Sequence, residues 1–224
     1  MIITAAIAHL VGDFFFQTKR VSIGKSTLSG MLVHVLLVFI AQILVFLLYR
    51  ELNTVTFAAI SLATVIHFGI DRFRTGMVKA KQNRDTFLFF LADQASHLLV
   101  FIAIFYCFKL PVSPYANLPY RVWPYKAWPL LLLLNTYMIS FLLYYLQKDL
   151  KINDGIYKRD YPGFIERIII TVFLLFPNYL LAFLGIVVKN GLVFAFSKKI
   201  DYWEALLGSA LAFLFTFGAI YFLR

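Results

Sequence analysis

Hydrophobic and polar positions along this chain fall into long blocks rather than the short alternations of a soluble fold. Seven apolar runs, Ile2–Phe16, Gly30–Tyr49, Thr54–Ile70, Phe87–Phe108, Trp128–Leu146, Ile165–Val188 and Trp203–Leu223, are separated by short polar or basic segments. A hydrocarbon core about 30 Å thick takes roughly 20 residues of helix, so each run predicts a membrane-crossing helix, the first at the short end of the range. The pattern predicts an all-α, polytopic transmembrane bundle of about seven helices. Residues 1–108 would form a four-helix core, and 109–224 would add three further helices of the same membrane domain. Gln147–Gly163, with its Asp-Gly turn and Tyr-Pro-Gly stop, predicts a loop. Lys109–Ala127, with Tyr115, Tyr120, Trp123 and Tyr125, suits an interfacial aromatic belt.

Composition agrees: 62% of residues are hydrophobic, 14% are charged, and mean hydropathy is +0.81, which excludes an ordinary soluble domain. A net charge of +10 could point to nucleic acid, but the basic residues sit in loops between spans, so membrane lipids are the expected partner and nucleic acid is not. Most of the 21 Lys and Arg fall in loops one, three and five and at the C-terminus. The positive-inside rule then places the N-terminus outside and the C-terminus in the cytoplasm. The first run has no basic start and reads as a retained helix rather than a signal peptide. Cys107, the single cysteine, excludes an intramolecular disulfide and a thiolate zinc cluster.

The exceptions to the apolar pattern carry the chemistry. All four histidines lie in the first hundred residues: His9 with Asp13, His34, His67 with Asp71, and His97 with Asp93. Residues four apart share a helix face, so three spans each present an imidazole beside a carboxylate. At 1.5 Å per residue all seven groups fall in one layer, roughly 5 to 17 Å below the surface that bears loops one and three. An ionisable residue inside a membrane costs about 2.5–3.5 kcal/mol on insertion scales, which makes it a functional hypothesis by default.

Neutral imidazoles and carboxylates on facing helices are ligands for zinc and other divalent transition metals. The candidate metal ligands are His9, Asp13, His67, Asp71, Asp93 and His97; His34 is a ligand or acid/base, and Asp93 a second acid/base candidate. Seven groups exceed one tetrahedral shell, so some orient the others or two metals bind. A bound metal would lower the pKa of its water toward about 7, giving hydrolysis or transfer on a lipid-like substrate. Two alternatives use the same residues: a proton or ion path in a transporter, and a scaffold in which His–Asp pairs only pin helices together. Gln17 and Gln94 are candidate outer donors; Glu166-Arg167 reads as an ion pair or a snorkelling arginine, Lys189 as an interface anchor, and Pro177 as a helix kink.

The segments AHLVGDFFFQTKR (Ala8 to Arg20), LVHV around His34, HFGIDRFR (His67 to Arg74) and FLADQASHLLV (Phe90 to Val100) resemble the bacterial membrane family catalogued as domain of unknown function 3307. That family's N-terminal domain is marked by a His-x-x-x-Asp-Phe-x-x-Gln opening, a His-x-x-x-Asp and an Asp-Gln-x-x-His. The resemblance covers about the first 105 residues, and GFIERIII (Gly163 to Ile170), Lys189 and DYWEALLGSALA (Asp201 to Ala212) extend it more loosely. It implies a bacterial inner-membrane location and a shared His/Asp constellation, and no substrate. The ligand types are also similar to those of membrane-embedded, metal-dependent lipid hydrolases, an analogy of chemistry alone.

Overall fold

The computed structural model describes the chain except for residues 17–18, 81–84, 111–122, 152–160, 176–178, 197–198 and 223–224. Every regular element among the described residues is helical, and the chain divides into two compact units, Met1–Asn117 and Leu118–Arg224. The first unit holds α1 (Ile2–Leu10), which continues as a π-helical turn over Val11–Phe15, a short α2 (Lys19–Gly24), α3 (Leu28–Leu48), α4 (Thr54–Ala80) and α5 (Phe87–Cys107). The second holds α6 (Trp123–Leu133), a π-helical turn over Leu134–Met138, α7 (Ile139–Asp149), α8 (Tyr161–Leu175), α9 (Tyr179–Phe196) and α10 (Lys199–Phe222). Gln17, Tyr115, Tyr120 and Pro177 lie outside the described residues.

Local chemistry sets the helix ends in the first unit. Thr27 Oγ1 accepts from the Gly30 amide at 3.1 Å to start α3, and Thr86 Oγ1 accepts from the Phe89 amide at 3.3 Å to start α5. After α3 and α5 the backbone turns left-handed at Arg50 and Lys109, with φ 55° and 52°. Thr4 Oγ1 donates to Glu51 Oε2 at 2.6 Å, which ties the start of α1 to the α3–α4 connection. Ala5, Ala8, Met31, Val38, Phe46, Ile60, Ala63 and Phe105 are buried between the helices, whereas Leu36, Leu48, Val65, Leu99 and Tyr106 point outward and are exposed. A core of small and aromatic residues with an apolar exterior is what a bundle solvated by lipid requires.

Among the described residues four stretches, Leu28–Leu48, Thr54–Ala80, Phe87–Cys107 and Trp128–Asp149, are long and apolar enough to cross a membrane. Two expectations about span boundaries are corrected. Helix α4 runs past Ile70 to Ala80, because Arg72, Arg74 and Lys79 end the apolar pattern without ending the helix. The expected single span Ile165–Val188 is two helices. Leu174 and Ile170 of α8 pack on Ala182 at the start of α9, while Glu166, earlier in α8, meets Lys189, later in α9, so the two run antiparallel. Lys189 is accordingly an ion-pair partner at 2.5 Å rather than an interface anchor.

Candidate metal centre

Four helical segments, α1 with its π turn, α3, α4 and α5, bring the seven His and Asp residues to the site. On α1 the π turn carries Asp13, and Gly12 lets the backbone close on α3: a Cβ there would lie 2.8 Å from Val38 Cα. π-Bulges of this kind reorient one side chain without ending the helix. His34 stands on the second turn of α3, His67 and Asp71 one turn apart on α4, and Asp93 and His97 one turn apart on α5. None of the seven is more than 7% exposed, and His34 is fully buried. The sequence-predicted residues therefore meet in one pocket of the first unit.

Four atoms form a compact set at its centre. His34 Nε2 lies 3.1 Å from both Asp13 Oδ1 and Asp71 Oδ2; His67 Nε2 lies 3.4 and 3.6 Å from the same two oxygens, and the two nitrogens are 3.3 Å apart. These distances are short, yet Asp13 Oδ1 and Asp71 Oδ2 have no hydrogen bond of acceptable geometry within the protein. His9 Nε2 stands 3.5 Å from the other oxygen of Asp13, and His67 Nδ1 is 3.1 Å from Nδ1 of His97. His97 Nε2 lies 3.5 Å from Asp71 Oδ1 and 3.7 Å from Asp93 Oδ1. Three groups could each hold a metal ion, with ligand atoms within 4.8 Å of one another: Asp13–His34–His67–Asp71, Asp71–Asp93–His97 and His9–His67–His97.

Cations rim the pocket. Lys25 Nζ is 3.1 Å from Asp71 Oδ2, and Arg74 lies 3.7 Å from Asp93 Oδ2 and 3.4 Å from Asp85. Gln94 Nε2 donates to Asp93 Oδ2 at 3.0 Å, as an outer donor should. Lys79 donates to the Ser26 carbonyl, which clips the corner carrying Lys25 to α4. Lys25 is the residue that reading the sequence missed, since a lysine in a basic loop resembles any other topogenic charge; its neighbour Thr27, capping α3, was the available signal.

A family model described as Protein of unknown function (DUF3307) matches residues 1–122, which include the whole pocket. The chain belongs to the DUF3307 family. No curated protein and no solved structure matches it. The match ends before α6, so the second unit lies almost wholly beyond the DUF3307 region.

That second unit has a polar interior of its own. Glu166, 7% exposed, accepts from Ser209 Oγ and from Lys189 Nζ, and Arg167, 2% exposed, donates to Ser140 Oγ at 2.6 Å. Asn135 Nδ2 donates to Thr171 Oγ1 at 2.7 Å and to Thr216 Oγ1 at 2.5 Å, and Asn190 Nδ2 reaches Ser209 Oγ at 3.1 Å. The expected Glu166-Arg167 pair is thus divided between two partners, and neither side chain snorkels.

Proposed function

We propose that this DUF3307 protein holds a divalent transition metal ion, zinc by its donor set, between Asp13, His34, His67 and Asp71. The observation that carries the reading is the spacing of the four ligand atoms. Ligands about 2.0–2.1 Å from a tetrahedral zinc lie about 3.3 Å from one another. The five separations given above run from 3.1 to 3.6 Å. Lone pairs aimed at a common centre also explain why Asp13 Oδ1 and Asp71 Oδ2, this close to both imidazoles, make no well-formed hydrogen bond to them.

His34 and His67 ligate through Nε2 and Asp13 and Asp71 through one oxygen each, while His9 steadies the second oxygen of Asp13. The chemistry a metal in this pocket would supply is hydrolysis or transfer on a lipid-like substrate entering from the bilayer, which needs a coordination position beyond the four that these ligands fill. The basic residues of loops one and three support a pocket near the cytoplasmic face of an inner membrane. The reversal between α8 and α9 changes the count of seven alternating spans on which a cytoplasmic C-terminus would rest. Ion transport through the same residues is the competing reading. A shell of four protein ligands argues against it, since such shells hold metal rather than release it.

The test is to purify the full chain in detergent and measure bound metal by mass spectrometry. Wild type should carry stoichiometric zinc, and His34→Ala and His67→Ala should lose it. A wild type without stoichiometric metal would end the reading, and ion flux in proteoliposomes without hydrolytic turnover would favour transport.

A further inference from the structure

Asp71 turns its two oxygens in different directions. Oδ2 faces His34 and His67 at 3.1 and 3.6 Å, whereas Oδ1 faces His97 Nε2 at 3.5 Å. Asp93 is divided in the same way: Gln94 and Arg74 approach Oδ2, and Oδ1 faces His97 Nε2 at 3.7 Å. Asp93 Oδ1 and His97 Nε2 are both buried without a hydrogen-bond partner in the protein. Asp71 Oδ1, Asp93 Oδ1 and His97 Nε2 are therefore three donor atoms converging beside the quartet, each on a residue whose other polar atom is already engaged.

We propose that this trio is a second metal position and that the pocket holds two divalent ions bridged by the Asp71 carboxylate. The inference rests on the reading of the quartet as a metal site and adds to it a division of labour. Four protein ligands close a shell, so the quartet retains its ion but offers no place for a reactant. Three ligands leave a position open, as catalytic sites do. Carboxylate-bridged pairs about 3.5–4 Å apart clamp the attacking and leaving oxygens of a displacement, and the open position belongs to Asp71, Asp93 and His97.

The histidine pair sets the order of loading. His67 and His97 meet Nδ1 to Nδ1 at 3.1 Å, a contact that one proton can bridge. An ion on His67 Nε2 leaves the His67 proton on Nδ1, where it donates to His97. His97 then carries its own proton on Nε2, the atom the second ion needs. The second ion must break that link, so it binds after the first and more weakly.

The experiment loads the purified full chain with Mn2+, removes excess, counts ions by mass spectrometry and records the electron paramagnetic resonance spectrum. Wild type should bind two ions per chain in two steps, with the exchange-coupled spectrum of a bridged pair. His97→Ala and the near-isosteric Asp93→Asn should each bind one, uncoupled. One ion in wild type with no change in either variant overturns the second position, and two ions without coupling overturn the Asp71 bridge. No ion in wild type with either Mn2+ or the more tightly held Zn2+ overturns the quartet itself, which separates failure of this inference from failure of the reading beneath it.

Discussion

Replacing Gly12 with alanine should unseat Asp13 without touching any ligand. The added Cβ would lie 2.8 Å from Val38 Cα, 3.0 Å from its Cγ2 and 3.2 Å from its Cβ, where ordinary contacts begin at 3.4 Å. The closest of these atoms is backbone of α3, so no rotamer relieves it. Helix α1 has to back away by about 0.6 Å, an overpacking that costs about 1–3 kcal/mol. Metal–ligand distances tolerate about 0.2 Å, so a shift of that size takes Asp13 Oδ1 out of the quartet. Affinity for zinc should fall at least ten- to hundredfold, the loss that even removal of an orienting partner produces. Competition with a chromogenic chelator measures it, alongside a thermal melt in the same detergent. Gly69→Ala is the control: it lies between His67 and Asp71 on α4, and a Cβ there meets nothing within 4 Å. That variant should keep its metal and melt at or slightly above wild type, because alanine favours a helix by about 1 kcal/mol over glycine. If Gly12→Ala binds zinc as tightly as wild type, the close approach of α1 and α3 does not position Asp13.

Lys25→Met should raise zinc affinity several-fold, since the ammonium 3.1 Å from Asp71 Oδ2 competes with the ion for that oxygen; unchanged or weaker binding in the chelator assay would contradict this. Glu166→Gln should lower the melting temperature by an amount equivalent to about 3 kcal/mol, because Lys189 loses its charged partner, while zinc content stays at the wild-type level. Asn135→Leu should cost about 1–3 kcal/mol by removing the amide donor that the Thr171 and Thr216 hydroxyls accept from, again without loss of zinc, and a melt indistinguishable from wild type would show that water serves them equally well.

How much of this could be read from the sequence depended on whether periodicity carried it. His67–Asp71 and Asp93–His97 are regular i, i+4 pairs on straight helices, so their shared face and depth followed from spacing alone. His34, with no carboxylate neighbour on its helix, gave no such cue, yet it sits at the centre of the quartet because α3 packs between α1 and α4. The π turn at Val11–Phe15 left no mark beyond Gly12, whose role depends on Val38, distant in the chain. Hydropathy also cannot register a change of direction: Ile165–Val188 is as apolar as a crossing helix, and only the pairing of Glu166 with Lys189 reveals that the chain doubles back. The buried hydroxyls and amides of the second unit passed as ordinary residues because Ser, Thr and Asn cost too little in a membrane helix to stand out.

The two units also differ in a way that bears on the choice between a metal site and a set of helix pins. In the second unit donors meet acceptors: Arg167 with Ser140, Lys189 and Ser209 with Glu166, Asn135 with Thr171 and Thr216. Among the described residues, the amide oxygens of Asn135 and Asn190 and Nε of Arg167 make no hydrogen bond there. That is how polar groups hold apolar helices together. The first unit buries its groups as deeply and packs them as closely, yet both nitrogens of His9, Nδ1 of His34, Nε2 of His97, Oδ1 of Asp13 and Asp93 and Oδ2 of Asp71 make no well-formed hydrogen bond within the protein, and several of them meet only as close charged contacts. Buried lone pairs that converge without well-formed hydrogen bonds suit a ligand that accepts several lone pairs at once, as a divalent cation does. The two explanations part on His34→Leu. If the groups are pins, leucine destabilises the protein with or without metal. If they await an ion, then after chelation leucine melts at or above wild type, because an orphaned imidazole has been replaced by a side chain that suits the bundle, and added zinc raises the melting temperature of wild type alone.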